Sequence, residues 1–245
     1  MNKQGKNKID WCDATINPVV GCKNNCEYCY ARRLNDRFKW IPDFSKPQFY
    51  PERLKEFEGK KPMSIFVNSM SDVAEWDNEQ ITGLLFAITK NHQHNYIALS
   101  KNMAWFELKL SLMTIGRPYI TDLIQQAKPS LYLGYTGTCV GSMARCRNYS
   151  PFTEHYNYFL NIEPIQTNMN LCLGTTLIKN ENLPKAVIVG AETGNRKGKV
   201  IPEKAWIDDI VKQADKLKIR VFMKESLRKI MGEDFRQDEL IWEIK

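Results

Sequence analysis

A chain of 245 residues with 43% hydrophobic and 26% charged residues has the composition of a globular protein and the length for one large core. Its 35 Lys and Arg against 28 Asp and Glu leave a formal charge of +7, which suits an anionic substrate or a nucleic acid without demanding one. No apolar run approaches the roughly 18 residues that span a bilayer, and the opening Met-Asn-Lys-Gln-Gly-Lys-Asn-Lys lacks the apolar stretch of a signal peptide. No membrane partner and a cytoplasmic location are therefore expected.

Residues 1–12 include three lysines in the first eight positions and no hydrophobic periodicity, the pattern of a mobile basic tail. Ile16-Asn-Pro-Val-Val20 reads as a first strand with its proline near the start, where a missing donor is tolerated. After the first helix, residues 37–62 carry Pro42, Pro47, Pro51 and Pro62 among aromatics and charges, an excursion long enough to be a lid or substrate-contact loop. Short β-branched and aromatic runs then recur at 64–69, 96–100, 131–135, 158–162, 186–190 and 220–224, each ending in a polar residue or glycine. Between them the period changes to that of a helix, as in Ile81, Leu84, Leu85 and Ile88, and again in Ile207, Ile210, Val211, Ala214 and Leu217. Alternation of this kind predicts right-handed βα crossovers. It points to a partial or complete parallel (βα) barrel of six to seven strands over residues 13–225, with an open doubly wound sheet as the alternative. Residues 226–245, with Phe235 and Trp242 among charges, form a C-terminal extension that folds back over that body.

Seven cysteines in such a chain favour metal ligation or free thiols over a disulfide framework. Cys22, Cys26 and Cys29 stand in Gly-Cys-Lys-Asn-Asn-Cys-Glu-Tyr-Cys-Tyr, four and then three residues apart. Three thiolates can hold three irons of a 4Fe-4S cluster and leave the fourth open to an outside ligand. The spacing and the aromatic Tyr28 before the last cysteine resemble the signature of the radical S-adenosylmethionine (radical SAM) superfamily. That resemblance implies a cluster on these cysteines and S-adenosylmethionine chelating the open iron. It also implies Tyr28 near the adenine and a cluster loop at the mouth of a partial barrel. A zinc knuckle that recruits Cys12 is the competing reading of the thiols.

Further blocks are Asp-Ala-Thr-Ile-Asn-Pro-Val-Val-Gly-Cys at 13–22, Phe-Val-Asn-Ser-Met-Ser-Asp at 66–72, Ile-Glu-Pro-Ile at 162–165 and Val-Gly-Ala-Glu-Thr-Gly at 189–194. Together they resemble a phage- and prokaryote-associated radical-SAM-like family of largely unassigned function. Cys12 stands where that family has a small hydroxyl residue, so no role carries over to it.

Polar residues cluster where strands end: Asn68, Ser69, Ser71, Asp72, Ser100, Lys101, Thr136, Thr138, Asn161, Glu163, Glu192, Thr193, Lys224 and Glu225. Ser69, Asp72, Glu163 and Glu192 are the candidates to accept hydrogen bonds from the ammonium and ribose of S-adenosylmethionine. Lys224 offers a point charge to a substrate anion or a salt bridge to one of these glutamates. Arg196, Lys197 and Lys199, in the loop after the sixth run, are candidate phosphate contacts, with Arg145 and Arg147 as possible helpers on a neighbouring loop. Cys139 and Cys146 follow the fourth run and are candidate hydrogen donors to a substrate radical, with an inert role as the alternative. His92 and His94 read as surface residues and His155 as structural.

These residues predict an enzyme that cleaves S-adenosylmethionine reductively to a 5′-deoxyadenosyl radical, which takes hydrogen from an anionic substrate such as a nucleotide or nucleic acid. It would draw on a one-electron donor, flavodoxin or ferredoxin-like. The alternative is a noncatalytic, metal-stabilised nucleic-acid-binding protein.

Overall fold

A computed structural model describes residues 1–4, 8–59, 61–139, 141–142, 157–169 and 183–242. Its frame is an eight-stranded sheet, and the order of strands follows the chain without reversal. It begins with β1 (Asn2–Lys3) and β2 (Ala14–Thr15), omits a separate pair, and continues through β5 (Ser64–Phe66), β6 (Asn95–Ser100), β7 (Leu131–Thr136), β8 (Asn157–Ile162), β9 (Ala186–Val189) and β10 (Arg220–Met223). All neighbours from β2 to β10 pair in parallel, and β1 is antiparallel to β2.

Period-two alternation gives the sheet two different apolar faces. Ile65, Val67, Tyr96, Ala98, Leu131, Leu133, Leu160, Val187 and Val221 face α2 (Asn78–Lys90), α3 (Met103–Thr114), α4 (Pro118–Ala127) and α5 (Lys204–Lys216) in the main core. Their alternates Phe66, Ile97, Tyr132, Phe159, Ile188 and Phe222 face inward onto Trp11, Leu240 and Trp242. No helix covers this inner side among the described residues. The Trp242 indole donates to the Trp11 carbonyl at 2.8 Å, and the Trp242 carbonyl accepts from Ser64 and Asn95 at 2.9 Å each.

The expected (βα) barrel of six to seven strands is thus corrected to an open, mostly parallel α/β sheet. Its edges show why it stays open. β1 turns antiparallel at one side, whereas at the other the segment around Gln237 meets Phe222 of β10, so neither edge is available to the other. Trp11 and Trp242 pack against the inner face of the sheet.

The strand expected at 16–20 is split. Ala14–Thr15 joins the main sheet, while β3 (Val19–Val20) pairs with β4 (Gln48–Phe49) in a small sheet of its own, Pro18 lying between them. Within the excursion at 37–62, Pro51–Phe57 winds as a 3-10 helix. His94 is buried rather than superficial: its ring stands edge-on to Tyr96, and its Nε2 lies 2.9 Å from the Phe57 carbonyl. Burial lowers its pKa.

Candidate active-site cleft

Past their apolar stretches, the inward-facing rows of the strands become polar. Phe66 is followed two residues on by Asn68, Phe159 by Asn161 and then Glu163, and Phe222 by Lys224. These positions line a cleft of about 1200 Å³ at the carboxyl ends of the parallel strands, where open α/β sheets bind ligands. The cysteine loop forms its opposite wall. Cys22, Cys26, Tyr28, Cys29, Ser69, Asp72, Glu163, Glu192 and Lys224 therefore share one site.

Helix α1 (Tyr30–Phe38) anchors the cysteine loop. Cys29 is its N-cap, the sulfur accepting the Arg32 amide at 3.4 Å, and the Arg32 guanidinium turns back to the carbonyls of Cys22 and Asn24 at 3.1 and 3.3 Å. No disulfide ties Cys22, Cys26 or Cys29. Burial pushes the Cys22 thiol up to about 12, with Asp72, Cys29 and Cys26 adding to the effect, and burial raises the Cys29 thiol as well.

Asp72 holds this wall against the strands. One carboxylate oxygen accepts from the Ala74 amide and the Ser100 hydroxyl, the other from the Lys101 amide and the Asn24 side chain, at 2.6–3.1 Å. All the lone-pair sites of a carboxylate are then used. It is a positioning residue, with no acceptor left for a ligand. Ser69 is held in turn by Asn17, which accepts from its hydroxyl and from the Met70 amide at 3.0 Å each.

The other candidates differ in what they leave free. Lys224 donates to Glu163 Oε1 at 2.5 Å, and the second Glu163 oxygen has no hydrogen bond among the described residues. Gly190 lets this pair lie against β9, because a Cβ there would come within 2.9 Å of Lys224 Cδ and 3.2 Å of Glu163 Cγ. Glu192 accepts a bidentate bond from Arg196 at 2.7 and 2.8 Å, which holds its carboxyl below the usual range. The Tyr28 oxygen accepts from Lys101 Nζ at 2.6 Å, and the same ammonium sits 5.0 Å from the ring centroid.

Other candidates fall outside the cleft lining. Arg196 is bound to Glu192, Lys199 donates to the Gly194 carbonyl at 2.9 Å, and neither they nor Lys197 reach the cleft wall. Cys139 also lies off the wall; burial raises its thiol pKa, but hydrogen bonds from Ser142, Gly141 and Thr138 outweigh that and lower it overall. Cys12 sits in the inner core beside Trp11, its thiol pushed up to about 12 chiefly by burial. Cys146, Cys172, Arg145, Arg147 and His155 lie outside the described residues. Asn17, Arg33 and Trp40 line the cleft and were not singled out by sequence. Only helix-face placement after the cysteines could have marked Arg33.

Fold and cleft define an α/β protein with a large cleft at the carboxyl edge of an open parallel sheet. The chain belongs to the family described as Protein of unknown function (DUF5131), whose model matches residues 6–233. Among solved structures, the fold is similar to Streptococcus suis SuiB bound to S-adenosylmethionine. The TM-score is 0.50 at 9% identity, over 92% of this chain and 51% of that one, so the chain spans about half the length of SuiB. No curated protein matches the sequence. The matching family replaces the radical SAM superfamily assignment drawn from the cysteine spacing. Among the described residues no three His, Cys, Asp or Glu side chains are grouped as a metal site. None of their helices is long and apolar enough to cross a membrane.

Proposed function

We propose that the cleft binds S-adenosylmethionine and that Cys22, Cys26 and Cys29 hold an iron–sulfur cluster that cleaves it reductively. The substrate is a nucleotide or nucleic acid bound in the same cleft. The observation that carries this reading is the convergence of three thiols without disulfides and a row of polar strand ends on one cleft. SuiB, which shares the fold, was solved with S-adenosylmethionine, and that adds support.

The donor chemistry fits a cluster: three thiolates suit iron, and all three lie on one short loop pinned at Cys29 by α1 and at Asn24 by Asp72. Their sulfurs are not gathered as a chelating group, so loading would draw them together. A bound cluster would supply one electron to the sulfonium, giving methionine and a 5′-deoxyadenosyl radical. The chain's own groups bind and orient. Glu163 offers the ammonium the oxygen that no described residue bonds, Lys224 offsets the buried charge, and Tyr28, fixed by Lys101, presents a ring face for the adenine. Ser69, Asp72 and Glu192 shape the wall through Asn17, Asn24 and Arg196.

Anaerobic reconstitution followed by iron, sulfide and zinc analysis tests the reading, with chromatography of products after dithionite reduction. Iron and sulfide with slow formation of 5′-deoxyadenosine are expected, and Cys26→Ala should lose both. S-adenosylhomocysteine as the product would indicate methyl transfer. Zinc without sulfide or turnover would indicate the metal-stabilised binding protein.

A further inference from the structure

The far end of α1 carries an arrangement that neither the core nor the cofactor reading uses. Phe38 and Trp40 are each about half exposed, at 51% and 49%, yet their rings stack on one another with centroids 5.4 Å apart and planes 20° from parallel. Lys39 between them takes the left-handed conformation, φ 53°, that ends the helix and turns Trp40 away from it. The Arg37 guanidinium lies 5.0 Å from the Phe38 ring centroid. Residues 30–40 contain four cations, Arg32, Arg33, Arg37 and Lys39, against one carboxylate, Asp36. Arg32 is spent on the cysteine loop, whereas Arg37 and Lys39 are exposed and Arg33 lines the cleft. Trp40, Tyr30 and Leu34 line it too, so the platform is continuous with the site.

Exposed flat rings interleaved with cations match one kind of partner. Planar bases stack on aromatic faces whatever their sequence, and phosphates take the cations. A duplex hides its base faces; a single strand presents them.

We propose that the α1 rim is a docking surface for single-stranded nucleic acid. A base stacks on the Phe38–Trp40 pair, Arg37 and Lys39 neutralise the flanking phosphates, and the strand runs past Arg33 so that a neighbouring nucleotide enters the cleft. The inference rests on the proposed function only for that last step, because docking requires neither S-adenosylmethionine nor a metal.

Fluorescence anisotropy tests it with the full chain as purified and labelled oligonucleotides of about 12 nucleotides, single-stranded and duplex, as DNA and as RNA, over a salt series. Single strands of at least one sugar type should bind about tenfold or more tighter than the duplex, the tighter sugar naming the partner. The Phe38→Ala/Trp40→Ala double variant should lose about tenfold or more in affinity with the salt dependence unchanged, and Trp40→Phe should retain most of the binding. Arg37→Ala/Lys39→Ala should weaken binding and also flatten the salt dependence. Both rings are half exposed, so the melting temperature of the aromatic variant should match that of the parent. No measurable binding, equal binding of duplex and single strand, or wild-type affinity in the aromatic double variant would each overturn the proposal. All of these outcomes leave the iron and product analysis of the cleft untouched.

Discussion

Glu107 shows how one buried group can set a pH limit. It lies on α3 at 2% exposure with one carboxylate oxygen unpaired, and burial pushes its pKa from 4.5 up to about 8. The folded state therefore keeps a proton that the unfolded state releases above about pH 4.5. Its contribution to stability is present below that pH and falls as pH rises towards 8. Glu107→Gln should remove this dependence and raise stability at pH 8 by on the order of 2 kcal/mol, read by urea denaturation at pH 5 and pH 8. A variant with the parent's pH profile would show that Glu107 finds a partner in solution. Glu163 gives a second residue-scale expectation. Glu163→Gln should weaken S-adenosylmethionine binding about tenfold, the loss typical of a hydrogen bond to a charged group, by calorimetry on the reconstituted protein. The same change should leave iron content unaltered, since among the described residues the hydrogen bond of Glu163 goes to Lys224 and not to the cysteine loop. At this scale the sequence was informative about residue type and, apart from the salt bridge of Lys224 to a glutamate, blind to pairing. The spacing of Cys22, Cys26 and Cys29 is local and could be read directly, as could the polar strand ends. That Asp72 saturates itself on Ala74, Asn24, Ser100 and Lys101, or that Arg196 is committed to Glu192, depends on side chains meeting across the fold.

Among the elements, β7 has the least tolerance for change. Gly134 faces inward, and a Cβ there would come within 2.4 Å of both Leu99 Cδ2 and the Phe159 ring. Leu99 borders the cleft, but Phe159 cannot yield readily because it is itself packed on Trp242 with centroids 4.6 Å apart. Gly134→Ala should cost about 1–3 kcal/mol by overpacking, measured by thermal unfolding. A neutral result would mean that the inner face is loosely filled. The central strands were legible because β-branched and aromatic runs alternate there without interruption. Helices α2 and α5 were legible from their apolar period. α3 was not, because it is apolar nearly all round: Met103, Phe106 and Leu110 are buried while Trp105, Leu108 and Leu112 are exposed, so no stripe marks its face. The first strand was misplaced because Val19–Val20 has the composition of a core strand but pairs with Gln48–Phe49, a partner set by tertiary contact.

For the molecule as a whole, the decisive contact joins distant parts of the chain. Trp242 packs on Trp11, Tyr132 and Phe159, so Trp242→Ala should remove about 3–5 kcal/mol and loosen β1 with it. Hydrogen exchange would register this as a loss of protection at Asn2–Lys3 and Ala14–Thr15 together. Retained protection there would separate the N-terminal strand from the wedge. Whether the sheet closes was illegible for this same reason: each run predicts a strand, but edge pairing and an aromatic plug decide between a barrel and an open sheet.

That plug has an implication for biosynthesis. Trp242 follows β10 in the chain, so on the ribosome every strand is translated before the residue that covers their inner face. The nascent sheet therefore presents Phe66, Ile97, Tyr132, Phe159, Ile188 and Phe222 as an apolar surface covered only from the Trp11 side until Leu240 and Trp242 emerge. Stop codons just upstream of Trp242 should yield aggregates even though every described strand is present.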